Sequence, residues 1–443
     1  MPNFDQSEEL PATFIRDALY DRIPMYNRDL NLIGSGPFLR LDRIQQLGFV
    51  SRIWPGAKHT RYEHSLGVLH LTRLALDRLR SRTSSRPYTG NDERTIIAAA
   101  LLHDIGHYPF SHAIEELGSP VLSHEEVGRA VITSDPIARI LERDWGVSPE
   151  RVANIVDGRL DASSDADRLL YGLLSGTFDM DKLDYLPRDA HACSVPYGGV
   201  DSERLLDALT FADVPDPKRP QRIAISDKGI SPLHSLINAR QEMFDNVYWH
   251  HTNRACMIML LRAVQEALLE KVITPRNLTD HDDASLLAQM RRPSMPTATR
   301  RLSDALANRN IHKRAVEISA RATELYDRLS QLWYDPVRRR EVERRLCQTL
   351  SERIGQDVPA TAVLIDIPKP ERWKTDAWVV FERPPVGLQS IMHWREVVGM
   401  ADDDFKRYEE HRRLIRIVTE APYRDAVSEH WEHILYPALG GIA

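Results

Sequence analysis

Leu101-Leu-His-Asp-Ile-Gly-His-Tyr-Pro-Phe-Ser-His112 sets three histidines and an aspartate directly behind the apolar run Ile96-Ile-Ala-Ala-Ala-Leu-Leu102. A buried His or Asp costs free energy unless it is paired or bound to a metal, so these polar groups behind an apolar run are informative. His103 and Asp104 can reach one ion from neighbouring faces of a helix, and His107, one turn after His103, shares its face. His-Asp alone is a weak motif, and its partners must come from elsewhere in the chain.

Working outward, the upstream neighbour is Thr60-Arg-Tyr-Glu-His-Ser-Leu-Gly-Val-Leu-His-Leu71, whose Leu and Val spacing predicts a helix with His64 in its first turns. Downstream, Ser123-His-Glu-Glu126 matches a capping box, which puts His124 in the first turn of a new helix. Residues 157–167 read as a connection. Phe178-Asp-Met-Asp-Lys-Leu-Asp-Tyr-Leu-Pro-Arg-Asp189 is charged but keeps enough apolar residues to dock as a helix.

Further out, residues 38–48 predict a short helix closed by Gly48, and Phe49 to Trp54 a strand or hairpin arm before the Pro55-Gly56 turn. Arg222-Ile-Ala-Ile-Ser226 alternates as a strand does, and one long helix is predicted from Pro232 to Lys271. Arg291-Arg-Pro-Ser-Met-Pro-Thr297 reads as a linker, followed by amphipathic helices over 302–328 and 335–354. Ala362 to Pro368, Ala377 to Phe381 and Arg413 to Val418 read as strands, with a helix over Phe405 to His411. The fold class is therefore mainly α: a helical bundle with short β hairpins and a small C-terminal α+β appendage. The expected divisions are a core over 1–290, a helical extension over 291–358 and an α+β region over 359–443.

Composition narrows the chemistry. Among 443 residues, 42% are hydrophobic and 28% charged, the balance of a globular protein. A net charge of -6 gives no overall basic footprint, so nucleic acid is not indicated as a partner, and phosphate chemistry needs locally placed cations. Cys193, Cys256 and Cys347 are too few and too scattered for a disulfide framework or a Cys-based zinc module, which fits a reducing cytoplasm. Met1 to Glu9 has no basic-then-apolar order, so no signal peptide is expected, and no apolar run is long enough for a membrane partner.

If His64, His103 and Asp104 share an ion, a fourth ligand completes a set of two imidazoles and two carboxylates, which suits Mn, Fe, Zn, Co or Ni. Asp179, Asp181 and Asp184 are the available acids in the next charged helix, and Asp181 is the expected one. These segments, in this order, resemble the HD-domain phosphohydrolases over residues 35–260, and more closely their deoxynucleoside triphosphate triphosphohydrolase branch, without its SAM domain.

The resemblance implies an HD-domain helical bundle with metal ligands at His64, His103, Asp104 and Asp181, and catalytic histidines at His107, His112 and His124. It implies that Glu115 orients His112, the general acid, and that His107 and His124 can help hold an additional Mg or Mn ion against the triphosphate. Arg61, Lys182 and Arg240 match cations set against a triphosphate. Gln46 and Asp189, with Tyr185 beside them, match groups that bind the sugar 3′-hydroxyl, and Leu47 and Tyr248 match a pair packed against C2′. The implied activity is conversion of a dNTP to deoxynucleoside and triphosphate by a homo-oligomer. Alternatives are an HD-type hydrolase of a nucleoside monophosphate, a modified or a cyclic nucleotide, or a nucleotide-binding regulatory protein. Gly106-His107 stands where a guanosine tetraphosphate hydrolase carries an acidic pair. Asp42 departs from the branch, which has an activator-site arginine there, and argues against activation of that kind.

Overall fold

The computed structural model describes residues 10–82, 87–160, 164–216, 221–369, 375–401 and 413–440, without the side chain of His112. Its longer helices, in order, are α1 (Arg61–Arg82), α2 (Gly90–Leu102), α3 (His124–Ile132), α4 (Pro149–Val156), α5 (Met180–Cys193) and α6 (Ile230–Met243). They continue with α7 (His251–Leu269), α8 (Asp283–Met290), α9 (Thr297–Ala307), α10 (Pro336–Ile354) and α11 (Arg424–Ala438). The fold is mainly helical with small sheets, as the pattern predicts.

The centre is α1 packed between α2 and α5. Residues Ile96 to Leu102 of α2 are all buried, and the small Ala98, Ala99 and Ala100 let neighbouring backbones close on it. Thr89 caps α2: its hydroxyl accepts from Asp92 N, while the Asp92 carboxylate accepts from Thr89 N at 2.6 Å. Gly67 in α1 has a steric reason. A Cβ there would lie 1.8 Å from Asp184 Oδ1 and 2.6 Å from Arg188 Nη2, so only glycine lets α5 bring this ion pair against α1.

Among the described residues there are three sheets. The hairpin of β1 (Thr13–Asp17) and β2 (Asp21–Met25) precedes the bundle. β3 (Leu209–Asp213) and β4 (Gln221–Ser226) form a sheet with β7 (Trp378–Val380) and β8 (Ile391–His393), in which β4 and β7 run parallel, Ile225 opposite Val379. In the third sheet β9 (Leu414–Thr419) lies between β5 (Lys313–Ser319) and β6 (Val363–Asp366), and α10 and α11 cover it. The buried run in β9 is that of a central strand.

Several predicted elements change. Residues 49–54 form no strand; Gly48–Arg52 is a 3₁₀ turn, held because Phe49 stacks on Phe110 at 4.4 Å between ring centroids. The helix predicted from Pro232 to Lys271 is interrupted. A wide turn over Phe244–Tyr248 ends α6, and His250 turns extended to cap α7, its Nδ1 accepting from Thr252 N. The helix predicted over 302–328 holds a strand instead: α9 ends at Ala307, Arg309 takes φ 60°, and Lys313–Ser319 pairs with β9. A short helix, Thr323–Ser330, follows it. The helix predicted over Phe405 to His411 lies outside the described residues. The β1–β2 hairpin and α11 carried no prediction.

Candidate metal centre and cleft

The chain leaves α2 at Leu102, and His103 to Gly106 form a turn, so His107 does not continue the face of His103 as a longer helix would have it. Gly106 makes the turn possible. A Cβ there would meet His124 O at 2.1 Å and Gly128 N at 2.3 Å, so α3 rests directly on the loop backbone. The capping box at its start forms as predicted, Ser123 Oγ accepting from Glu126 N and Glu126 Oε2 from Ser123 N.

Two imidazoles meet edge to edge. His64 Nε2 and His103 Nε2 are 3.2 Å apart. Their other nitrogens are engaged: His64 Nδ1 lies 2.7 Å from Asp184 Oδ2, and His103 Nδ1 lies 2.9 Å from Ala100 O. Each Nδ1 therefore carries the hydrogen when the ring is neutral, and both Nε2 lone pairs face one point. Asp181 Oδ1 stands 3.0 Å from His64 Nε2 and 3.7 Å from His103 Nε2. Asp104 lies next to this group, its Oδ1 at 3.3 Å from His103 Nε2 and its Oδ2 at 3.8 Å from His64 Nε2, and it also gathers with His107 and His124.

Donors each about 2.1 Å from a common ion stand about 3.0–3.4 Å apart, a range that holds for the 3.2, 3.0 and 3.3 Å separations here, while those of 3.7 and 3.8 Å are wider, so His64, His103 and Asp181 are a group that could hold a divalent cation. The electrostatics agree. Burial opposes a charge on His64, yet Asp181 and Asp184 raise it to about 10, the response of a site whose carboxylates demand a positive partner. Burial likewise opposes ionisation of Asp181, but the contact with His64 brings it down to about 2. Asp104 is held well below the usual carboxylate range against its burial by Arg61 and by the neighbouring histidines.

The three acids of the α5 segment separate by role. Asp179 caps the helix, accepting from Lys182 N at 2.8 Å and from Lys182 Nζ at 2.6 Å. Asp181 and Asp184, three residues apart on one face, bracket His64 from its two ring nitrogens. Asp184 is anchored in turn by Arg188 through two bonds and by the Tyr20 hydroxyl at 2.8 Å. The i,i+3 spacing of these acids was the available signal for this partner of His64.

Beside the ligands lies a second group. The rings of His107 and His124 stack at 3.8 Å, and His124 Nδ1 is 3.1 Å from both oxygens of Glu115. His107 Nε2 is 3.1 Å from Asp104 Oδ1, and its Nδ1 is 3.7 Å from Glu115 Oε1. The environment separates the pair. Burial, Arg61 and His124 hold His107 well below its ordinary value, whereas Glu115 raises His124 against its burial. Glu115 thus serves His124; its expected contact with His112 falls on a side chain outside the described residues, although the His112 backbone sits in the 3₁₀ segment Ser111–Leu117.

His64, His103, Asp104, His107, His124 and Asp181, but not Glu115, line a cleft of about 300 Å³ together with Gln46, Arg61, Tyr185 and an apolar wall of Ile155, Val156, Tyr171 and Leu174 that sequence reasoning did not single out. Arg61 Nη1 donates to Asp104 Oδ2 and its Nε to Ser111 Oγ. Leu47, Lys182, Asp189, Arg240 and Tyr248 do not line this cleft. They stand behind it: Tyr185 makes edge contacts with both His64 and Tyr248, and Arg240 acts electrostatically on Lys182 and Tyr185. Asp189 is held by the Tyr248 hydroxyl and by His59 Nε2, each at 2.7 Å. His59 carried no prediction, because its partner is 130 residues away. A larger cleft, about 550 Å³, lies apart from the ligands, and its arginines are engaged, Arg301 by Glu420 and Arg309 by Arg52 O.

The HD domain pattern matches residues 61–192, the stretch that carries every candidate ligand just described, and the HD associated region matches residues 200–407. The chain belongs to the HD-domain phosphohydrolase superfamily. This HD protein is 31% identical over 309 residues to an uncharacterized protein of Methanocaldococcus jannaschii, a match covering 69% of this chain and 60% of that one. It is 26% identical over 333 residues to the deoxynucleoside triphosphate triphosphohydrolase SAMHD1 homolog of Dictyostelium discoideum, covering 71% of this chain and 62% of that one. The chain thus spans about three-fifths of the length of these two curated relatives. Its fold is that of a hypothetical protein from Aquifex aeolicus, with TM-score 0.70 and 24% identity over 95% of this chain and 99% of the other. Among the described residues no helix is long and apolar enough to cross a membrane.

Proposed function

We propose that this protein is a metal-dependent deoxynucleoside triphosphate triphosphohydrolase, converting a dNTP and water to deoxynucleoside and triphosphate. The observation that carries the reading is the convergence of His64 Nε2, His103 Nε2, Asp104 and Asp181 beside the stacked His107–His124 pair. His64, His103, Asp104 and Asp181 would hold the cation, which when bound acidifies water and polarises a phosphoryl oxygen.

Water adds to the α-phosphorus and the bond from phosphorus to the 5′ oxygen breaks. The water loses a proton and the 5′ oxygen gains one. His112 is the acid the resemblance implies, and His124, held toward its charged form by Glu115, is a proton store at the cleft; such groups contribute about 10²–10⁴-fold. Neutral His107 donates from Nε2 to Asp104 and keeps that ligand oriented. Arg61 adds positive charge at the cleft, with Lys182 and Arg240 behind it. The choice of a deoxynucleotide is supported by the Dictyostelium discoideum relative named for that activity.

The test is product analysis of the metal-loaded protein with each dNTP. Equimolar deoxynucleoside and tripolyphosphate are expected; monophosphate with pyrophosphate would overturn the reaction.

A further inference from the structure

We propose that Asp283, in the HD associated region, is a positioning residue that clamps two backbone segments of the cleft, the loop through Phe110 and the wall at Gln45; its effect on turnover rests on the function proposed above. Asp283 is the first residue of α8, but it is not the cap: Asp282 Oδ1 accepts from Ser285 N at 2.8 Å and leaves the Asp283 carboxylate free to face the bundle. There Oδ1 accepts from Phe110 N at 2.7 Å and Oδ2 from Gln45 N at 3.0 Å. One carboxylate therefore bridges two segments 65 residues apart, as their numbering in the chain gives.

What it bridges is strained. Phe110 and Ser111 both have left-handed backbones, φ 59° and 61°, without being glycine. Such a residue costs free energy and persists where its surroundings over-determine it. The surroundings do so here. Ser111 Oγ stands 3.0 Å from the carbonyl oxygens of both Gln45 and Gln46 and accepts from Arg61 Nε at 3.2 Å. A second tie comes from just before α8: Arg40 Nε donates to His281 O and its Nη1 to His107 O, both at 2.9 Å.

Each bonded segment delivers a group to the cleft. Gln46 follows Gln45, Arg61 is steadied through Ser111, and His112 is the next residue along. Asp283 itself does not line the cleft. Its role is to fix main chain, and an error of about 1 Å in such a scaffold costs about 100-fold in rate.

The experiment compares the metal-loaded full-length protein with Asp283→Ala and the near-isosteric Asp283→Asn, whose amide offers one acceptor to two donors. Amide exchange in peptides covering 107–112 is expected to rise at least about tenfold, while α1 and α2 stay protected. With bound metal unchanged, kcat is expected to fall about 10- to 100-fold and KM to move less than about threefold. Unchanged exchange, or activity lost only in proportion to lost metal or lost fold, would overturn the clamp. Should wild type leave every dNTP intact, the proposed function falls, and the exchange result alone upholds or overturns the clamp.

Discussion

At the residue scale, the ligands are the most legible part of the protein and their supports the least. His103 and Asp104 stand out because polar groups follow an apolar run, and Asp181 because acids repeat along one short helix. Asp184, His59 and Asp283 act through partners 120, 130 and 173 residues away, and no local spacing announces such contacts. The support by Asp184 is testable. Asp184→Asn keeps the volume but weakens the hold on His64 Nδ1, and metal affinity is expected to drop about 10- to 100-fold by titration against a chelator. Asp283 has a pH signature. Burial pushes its carboxyl up to about 6, only partly offset by the two backbone N–H groups. Its folded value thus exceeds the unfolded one of about 3.9, so its contribution to stability is full below about pH 4 and is lost as pH rises through about 6. Thermal melts of wild type and Asp283→Asn should therefore differ more in favour of wild type at pH 5 than at pH 7.5. An equal difference at both values would contradict the shift.

At the element scale, a helix with a capping box was legible, as α3 shows, and the interruptions were not. The break between α6 and α7 is held by a side chain just past it, Asn253 Nδ2 donating to Tyr248 O, and the strand inside 302–328 arises from a tertiary partner, β9, about a hundred residues later. Helical periodicity carries no trace of either. Two glycines have an importance visible only once the helices are packed. Gly67 admits the Asp184–Arg188 pair, and Gly106 admits α3. Gly67→Ala raises intrinsic helix propensity yet forces Asp184 away from His64, so overpacking is expected to cost about 1–3 kcal/mol and metal occupancy to fall with it. A calorimetric melt with metal analysis checks both. A more stable, fully loaded variant would show that the close approach is dispensable.

At the scale of the whole molecule, the mainly helical class and the small sheets follow from periodicity, while the sheet order does not. β4 and β7 pair in parallel across more than 150 residues, which neither strand's own sequence specifies. The arrangement places the proposed metal ligands between α1, the turn after α2, and α5, with α3 and Gln46 at the cleft and the Asp283 carboxylate of α8 bonded to the neighbouring Gln45 N. The chemistry claimed for that arrangement is attack of water at the α-phosphorus within a site that needs its metal. Turnover of a dNTP in ¹⁸O-labelled water, with the metal-loaded protein and with Asp181→Ala as the metal-poor control, tests this most directly. The label is expected in tripolyphosphate and absent from the deoxynucleoside, with turnover lost in the variant. Label in the deoxynucleoside, label in a monophosphate, or full activity of Asp181→Ala without metal would contradict it.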